Sequence, residues 1–119
     1  MHKIYFYKDA NGKQPVLDYM KKLASLKGKE NRIKFNKIQE YIQILSEYGT
    51  AAGEPYIKHL EGDIWELRPL KDRILFIGQE DGAYILLHHF IKKTRKTPKR
   101  EIEKAKRKLQ ELRRNYHEK

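Results

Sequence analysis

The chain has 119 residues and no cysteine, and its 27 lysines and arginines outnumber 16 acidic residues, for a formal net charge of +11. That length supports a single domain, taken as residues 1–119, and the absence of cysteine excludes a disulfide scaffold, a thiolate metal site and a cysteine nucleophile. No apolar run approaches the ~18 residues of a membrane span, and the first residues lack a secretory signal's apolar core, so a soluble, cytoplasmic protein with no membrane partner is expected.

In chain order, residues 2–7 read as an opening strand, closed by the turn-rich Asp9-Ala10-Asn11-Gly12. Pro15 suits a first helical position, and Val16, Met20 and Leu23 recur at helical spacing to about Leu26. Gly28 interrupts. A longer helix follows from about Glu30 to Tyr48, with Ile38, Ile42 and Leu45 on one stripe and Gly49 as its stop. From Tyr56 the period changes to that of strands. Ile57–Leu60, Ile64–Arg68, Arg73–Ile77 and Tyr84–Lys92 are separated by turns short enough to make antiparallel neighbours. Thr97-Pro98 then offers an N-cap and a proline to a last helix, whose apolar stripe is Ile102, Ala105, Leu109, Leu112 and Tyr116. The expected fold is α+β: a twisted antiparallel sheet of four to five strands, packed by an N-terminal helical hairpin and followed by a basic C-terminal helix.

The charge is uneven. Residues 1–91 carry 14 basic and 12 acidic residues, and residues 92–119 carry 13 basic and 4 acidic. Clustered lysine and arginine neutralise phosphates and release condensed counterions, which makes nucleic acid the natural partner. A solvated tail or an acidic protein partner is the alternative.

Strand register sharpens the reading. If Arg68 and Arg73 bracket the turn Pro69-Leu70-Lys71-Asp72, cross-strand pairing puts Trp65, Leu67, Ile74 and Phe76 on one apolar face. Ile64, Glu66, Arg68, Arg73, Leu75 and Ile77 then share the other. Two opposed arginines ask for an anion or a counter-carboxylate between them, and Glu66 could supply the latter. Through a two-residue Asp81-Gly82 turn, Leu75 pairs with His88 and Arg73 with Phe90, so His88 and Lys92 join the arginine face. A one-residue bulge there would substitute His89 and Lys93.

The ordered set Trp65-Glu66-Leu67-Arg68, Arg73-Ile74, His88-His89-Phe90-Ile91-Lys92-Lys93-Thr94, Lys96-Thr97-Pro98 and Glu101-Ile102-Glu103-Lys104-Ala105 resembles the HigB-like, phage-derived branch of the RelE/ParE toxin superfamily. The resemblance spans roughly residues 2–110. It implies a RelE-like fold and the toxin of a bacterial type II toxin–antitoxin pair: an mRNA endonuclease acting in the ribosomal A site without metal or other cofactor. It also implies a small helix-turn-helix antitoxin (HigA-like) as partner, in a hetero-oligomer able to reach operator DNA through that antitoxin.

In such a reaction the substrate's 2′-hydroxyl attacks the adjacent phosphorus and the 5′-oxygen leaves. The enzyme must align the oxygens, stabilise phosphate charge and manage two protons. Arg68 and Arg73 suit the charge task, because a guanidinium binds two phosphate oxygens and stays protonated. Lys92 and Lys93 end the last strand, where similar toxins place basic groups; His59 and His88 are candidate proton carriers. Lys58, Arg95 and Lys96 are candidate RNA-holding residues. Some relatives use a tyrosine near the C-terminus as base, but none lies between Phe90 and Asn115, so the proton acceptor stays unassigned. No H-E-x-x-H or paired-acid motif offers a metal site. The alternatives are a gyrase inhibitor of the same fold and a non-catalytic basic RNA-binding module.

Overall fold

Pro15 opens the first helix because its fixed φ suits the first turn and its missing N–H has no partner to lose there. A computed structural model of the chain describes residues 1–117, with side chains through residue 115. The order is β1 (Ile4–Phe6), α1 (Pro15–Ser25), α2 (Lys29–Tyr48), a 3₁₀ turn (Gly49–Ala52), β2 (Ile57–Glu61), β3 (Ile64–Leu67), β4 (Asp72–Gly78), β5 (Tyr84–Ile91) and α3 (Lys99–His117). The helical hairpin, the four later strands and the last helix stand where the apolar spacing put them. Helix α2 stops at Gly49, whose φ of 62° is open to glycine and whose N–H caps the Leu45 carbonyl.

The sheet runs β1-β5-β4-β3-β2, with β2 and β1 at its edges. It is α+β as expected, but mixed rather than wholly antiparallel: β1 lies parallel to β5, pairing Ile4 with Tyr84. The long crossover through the helical hairpin and three strands permits this, since parallel neighbours cannot be joined by a tight turn.

The β3–β4 register is the expected one, with Trp65 opposite Phe76 and Leu67 opposite Ile74. Between β4 and β5, Arg73 meets Phe90 and Leu75 meets His88, also as expected, but by another route. The turn is wider than Asp81-Gly82 alone, since Gln79 N–H donates to Ala83 O (2.8 Å). A bulge between Leu75 and Phe76 then absorbs Leu87 and restores the pairing. His88 therefore shares the arginine side and His89 does not.

Both faces of the sheet are covered. Val16, Met20, Leu23, Ile38 and Leu45 of the hairpin pack on Leu67, Ile74, Phe76 and Leu86. Ala105 and Leu109 of α3 pack on Ile64, Leu75, Ile77, Ile85 and Leu87 of the other face. The second face is thus a core too, and at its Arg68–Arg73 end Arg68 is partly exposed while Arg73 is buried. Tyr116 lies outside the residues whose side chains are described. On the hairpin side, buried Asp72 accepts hydrogen bonds from Tyr19 Oη (2.8 Å) and His89 Nε2 (2.9 Å), tying α1 to the sheet. Among the described residues no helix is long and apolar enough to cross a membrane.

Candidate functional site: a cationic cleft at the sheet edge

Alternation along the strands decides which side chains meet. Lys58 pairs with Glu66, and Glu66 with Leu75, so Lys58, Glu66, Arg68 and Arg73 point to the α3 side. Where α3 begins, this side opens into a cleft of about 250 Å³. Five cations line it: Lys58, Arg68, Lys92, Arg95 and Lys96.

At the back stands Glu66, 1% exposed. Its Oε1 lies 3.5 Å from Arg68 Nε and 3.8 Å from Arg73 Nε, and its Oε2 accepts a hydrogen bond from the Thr97 hydroxyl. Thr97 therefore does not cap α3, which begins two residues later; its hydroxyl is turned to the carboxylate instead. The counter-carboxylate required by the two arginines is thus present. Both Nε atoms are buried and, among the described residues, lack a hydrogen-bond partner, because Oε1 is too distant from either to accept.

The arginines divide their roles. Arg68 is about a quarter exposed, lines the cleft and approaches Glu54 at 3.6 Å. Arg73 is 7% exposed, and its Nη1 donates to Leu70 O (2.7 Å) and Asp72 O (2.8 Å). Burial draws the Arg73 pKa below the ordinary guanidinium value, against the pull of Glu66 and with the push of Arg68. Lys92 is depressed as well, by desolvation and then by Arg73, Arg68 and Lys58. A lysine so placed gives up its proton more readily than a free one.

The remaining sequence candidates lie apart. Lys93 is exposed and does not line the cleft. His88 is buried under α3, with Glu101 Oε1 2.7 Å from Nε2 and Lys108 Nζ 2.9 Å from Nδ1. His59 has its backbone on the cleft strand but pairs with Trp65, so its side chain faces the hairpin side, 2.7 Å from Gly62 O. The structure therefore joins Arg68, Lys92, Lys58, Arg95 and Lys96, sets Arg73 behind them, leaves His59 on the cleft's margin with its ring turned toward Trp65, and keeps His88 elsewhere. Glu66 stands where the sequence allowed it, as the counter-carboxylate of the two arginines, whereas Thr97, read as a helix cap, bonds Glu66 instead. Among the described residues no group of three or more His, Asp or Glu is placed to hold a metal ion.

A five-stranded mixed sheet with a helical hairpin and a C-terminal helix is consistent with a RelE-like fold. The chain belongs to the family described as Phage derived protein Gp49-like (DUF891), whose model matches residues 21–110; this family falls within the RelE/HigB-like toxin group. The match contains the whole cleft. A search of curated proteins finds no match.

Proposed function

We propose that this chain is a HigB-like toxin of a type II toxin–antitoxin pair, cutting mRNA on the ribosome without a metal ion. One observation carries the reading: five cations open onto a single cleft backed by a buried carboxylate, inside the segment that matches a toxin-group family. In the cleft, Arg68 and the lysines neutralise the scissile phosphate, and Glu66 with Thr97 fixes the Arg68 guanidinium. Lys92, in its neutral form, takes the proton of the 2′-hydroxyl as the 2′-oxygen bonds to phosphorus. The P–O5′ bond breaks, the 5′-oxygen takes up a proton at the open mouth, and a cyclic phosphate remains. Arg73 acts from behind, by its charge and by holding the β3–β4 turn.

The same reading makes the partner a small helix-turn-helix antitoxin that opposes this charge, bound in a hetero-oligomer that reaches operator DNA through the antitoxin. Expression in a bacterial host tests it. Growth arrest with transcripts cut inside reading frames is expected, and both should vanish in Arg68→Ala/Lys92→Ala. Arrest with intact transcripts and inhibited DNA supercoiling would select gyrase instead. Salt-sensitive RNA binding with no cut product, ribosomes included, would leave only a binding module.

A further inference from the structure

A second recess lies across the sheet edge from the cleft, at the uncovered end of the hairpin face. It holds about 370 Å³, and His59, Asp63, Trp65, Gly78, Gln79 and Tyr84 are among the residues that line it. Three aromatic side chains line it: the His59 and Trp65 rings, 4.8 Å apart, and Tyr84. Gly78 lines it too, and an added Cβ there would come within 3.3 Å of the Tyr84 ring. Its polar groups are placed to orient a ligand. The Tyr84 Oη already accepts from Thr50 N–H (3.1 Å), so its own O–H is left to donate. The His59 bond to the Gly62 carbonyl requires the hydrogen on Nε2, which leaves Nδ1 of the neutral ring as an acceptor. Around it, the Gln79 amide and the Asp63 carboxylate add a donor and acceptors, though Arg113 Nη2 already holds Asp63 at 2.7 Å.

A shallow recess with stacking walls and a few hydrogen-bonding groups matches an unstacked nucleobase better than a phosphate, for which it offers no cation on its lining. Its position supplies the rest. Strand β2 is the sheet's edge, and its consecutive residues Lys58 and His59 face opposite sides, one into the cleft and the other into the recess. His59 lines both. The geometry points to a base-binding subsite: a single-stranded RNA held by its phosphates in the Arg68–Lys92 cleft bends round the β2 edge and seats one base against Trp65 and His59. The inference rests on the cleft being an RNA site, and it adds a base contact that the cleft itself does not provide.

Trp65 is the chain's one tryptophan, so its emission reports on this recess alone. The test uses the full chain and a short 2′-O-methyl RNA oligonucleotide, which binds but cannot be cut, labelled for anisotropy while tryptophan emission is read in parallel. Binding accompanied by quenching is expected, and an abasic oligonucleotide of equal length should bind without quenching. His59→Ala, a change at an exposed position, should weaken the normal oligonucleotide about 5- to 150-fold, the range of one lost stacking contact, and weaken the abasic one by much less. Binding by anisotropy with unmoved tryptophan emission would overturn the subsite while leaving the cleft reading intact. Absence of any binding, or binding untouched by Arg68→Ala/Lys92→Ala, would overturn the cleft reading and the subsite with it.

Discussion

Thr97, in the segment that leads into α3, donates its hydroxyl hydrogen bond to Glu66 in the middle of β3. That bond fixes one oxygen of a buried carboxylate and leaves the other facing two guanidinium groups at 3.5 and 3.8 Å. Opposite charges at that distance in a poorly solvated place attract strongly, and removing one member strands the others. Glu66→Gln should therefore cost about 3 kcal/mol, read as a lower urea midpoint, because Arg68 and Arg73 are left confronting one another. Inorganic phosphate at millimolar concentration should restore part of the loss in this variant and little in the parent. A variant as stable as the parent, indifferent to phosphate, would show that the carboxylate does not hold the arginines.

The two arginines should separate on mutation. Arg73 donates to the carbonyl of Leu70, a non-glycine residue at φ 58°, and so holds a turn in a conformation that L side chains resist. Arg73→Ala should cost about 2–4 kcal/mol in unfolding free energy, since two turn carbonyls lose their donor and Glu66 loses a countercharge. Arg68→Ala, at a partly exposed position, should cost about 1 kcal/mol or less. Its effect should fall on transcript cleavage instead, by about 10²- to 10³-fold. Equal destabilisation with equal loss of cleavage would refute the division of roles.

Much of this site was legible because strand alternation is a rigid rule. The pairing of Trp65 with Phe76 puts Glu66, Arg68 and Arg73 on one side, as alternation in the sequence requires. Two things were not legible. Periodicity shows a residue's face but not what covers it, so Leu75 and Ile77 could be placed beside the arginines while α3 above them stayed unseen. Nor does it show depth: Arg73 and Arg68 read alike in sequence, yet one is enclosed by its own turn. The direction of the His59 ring has a simpler reason. His59 neighbours Lys58 in the chain, and neighbours on a strand face opposite ways. The expected β4–β5 pairing emerged from a wider turn and a bulge whose offsets cancel, which no hydrophobic pattern displays.

If Lys92 is the base, cleavage should rise with pH as it loses its proton, along a limb lying below the ordinary lysine range. Desolvation and the charges of Arg73, Arg68 and Lys58 all favour the neutral amine. Removing one of those charges has a definite sign. Arg68→Gln should move the limb to higher pH, besides lowering the rate, because Lys92 then holds its proton more tightly. Single-turnover cleavage on ribosomes between pH 6.5 and 9 reads this directly. A rate independent of pH, or a limb unmoved in Arg68→Gln, would assign the base elsewhere.

His88 should make stability, rather than cleavage, sensitive to acid. Its Nε2–H donates to Glu101 and its Nδ1 accepts from Lys108, an arrangement that only the neutral ring can satisfy. Burial lowers its pKa, Lys108 and Lys104 add to that, and the Glu101 hydrogen bond opposes them without prevailing. The unfolded chain therefore binds the proton more readily, so the contribution of His88 is full above about pH 6.5 and is lost as pH falls through the folded pKa. The loss amounts to about 1.4 kcal/mol for each pH unit by which the folded value lies below the free one. Glu101 adds a separate loss at lower pH: burial would raise its pKa, but the His88 hydrogen bond and the charges of Lys104 and Arg100 hold it below the ordinary carboxylate value. His88→Gln keeps a donor for Glu101 and removes the titration. Urea unfolding at pH 7.5, 6.0 and 5.0 should show the parent weakening from 6.5 downward, with the variant nearly flat over that window and falling only where carboxylates protonate. Parallel pH dependence in the two proteins would mean that α3 is not latched through His88.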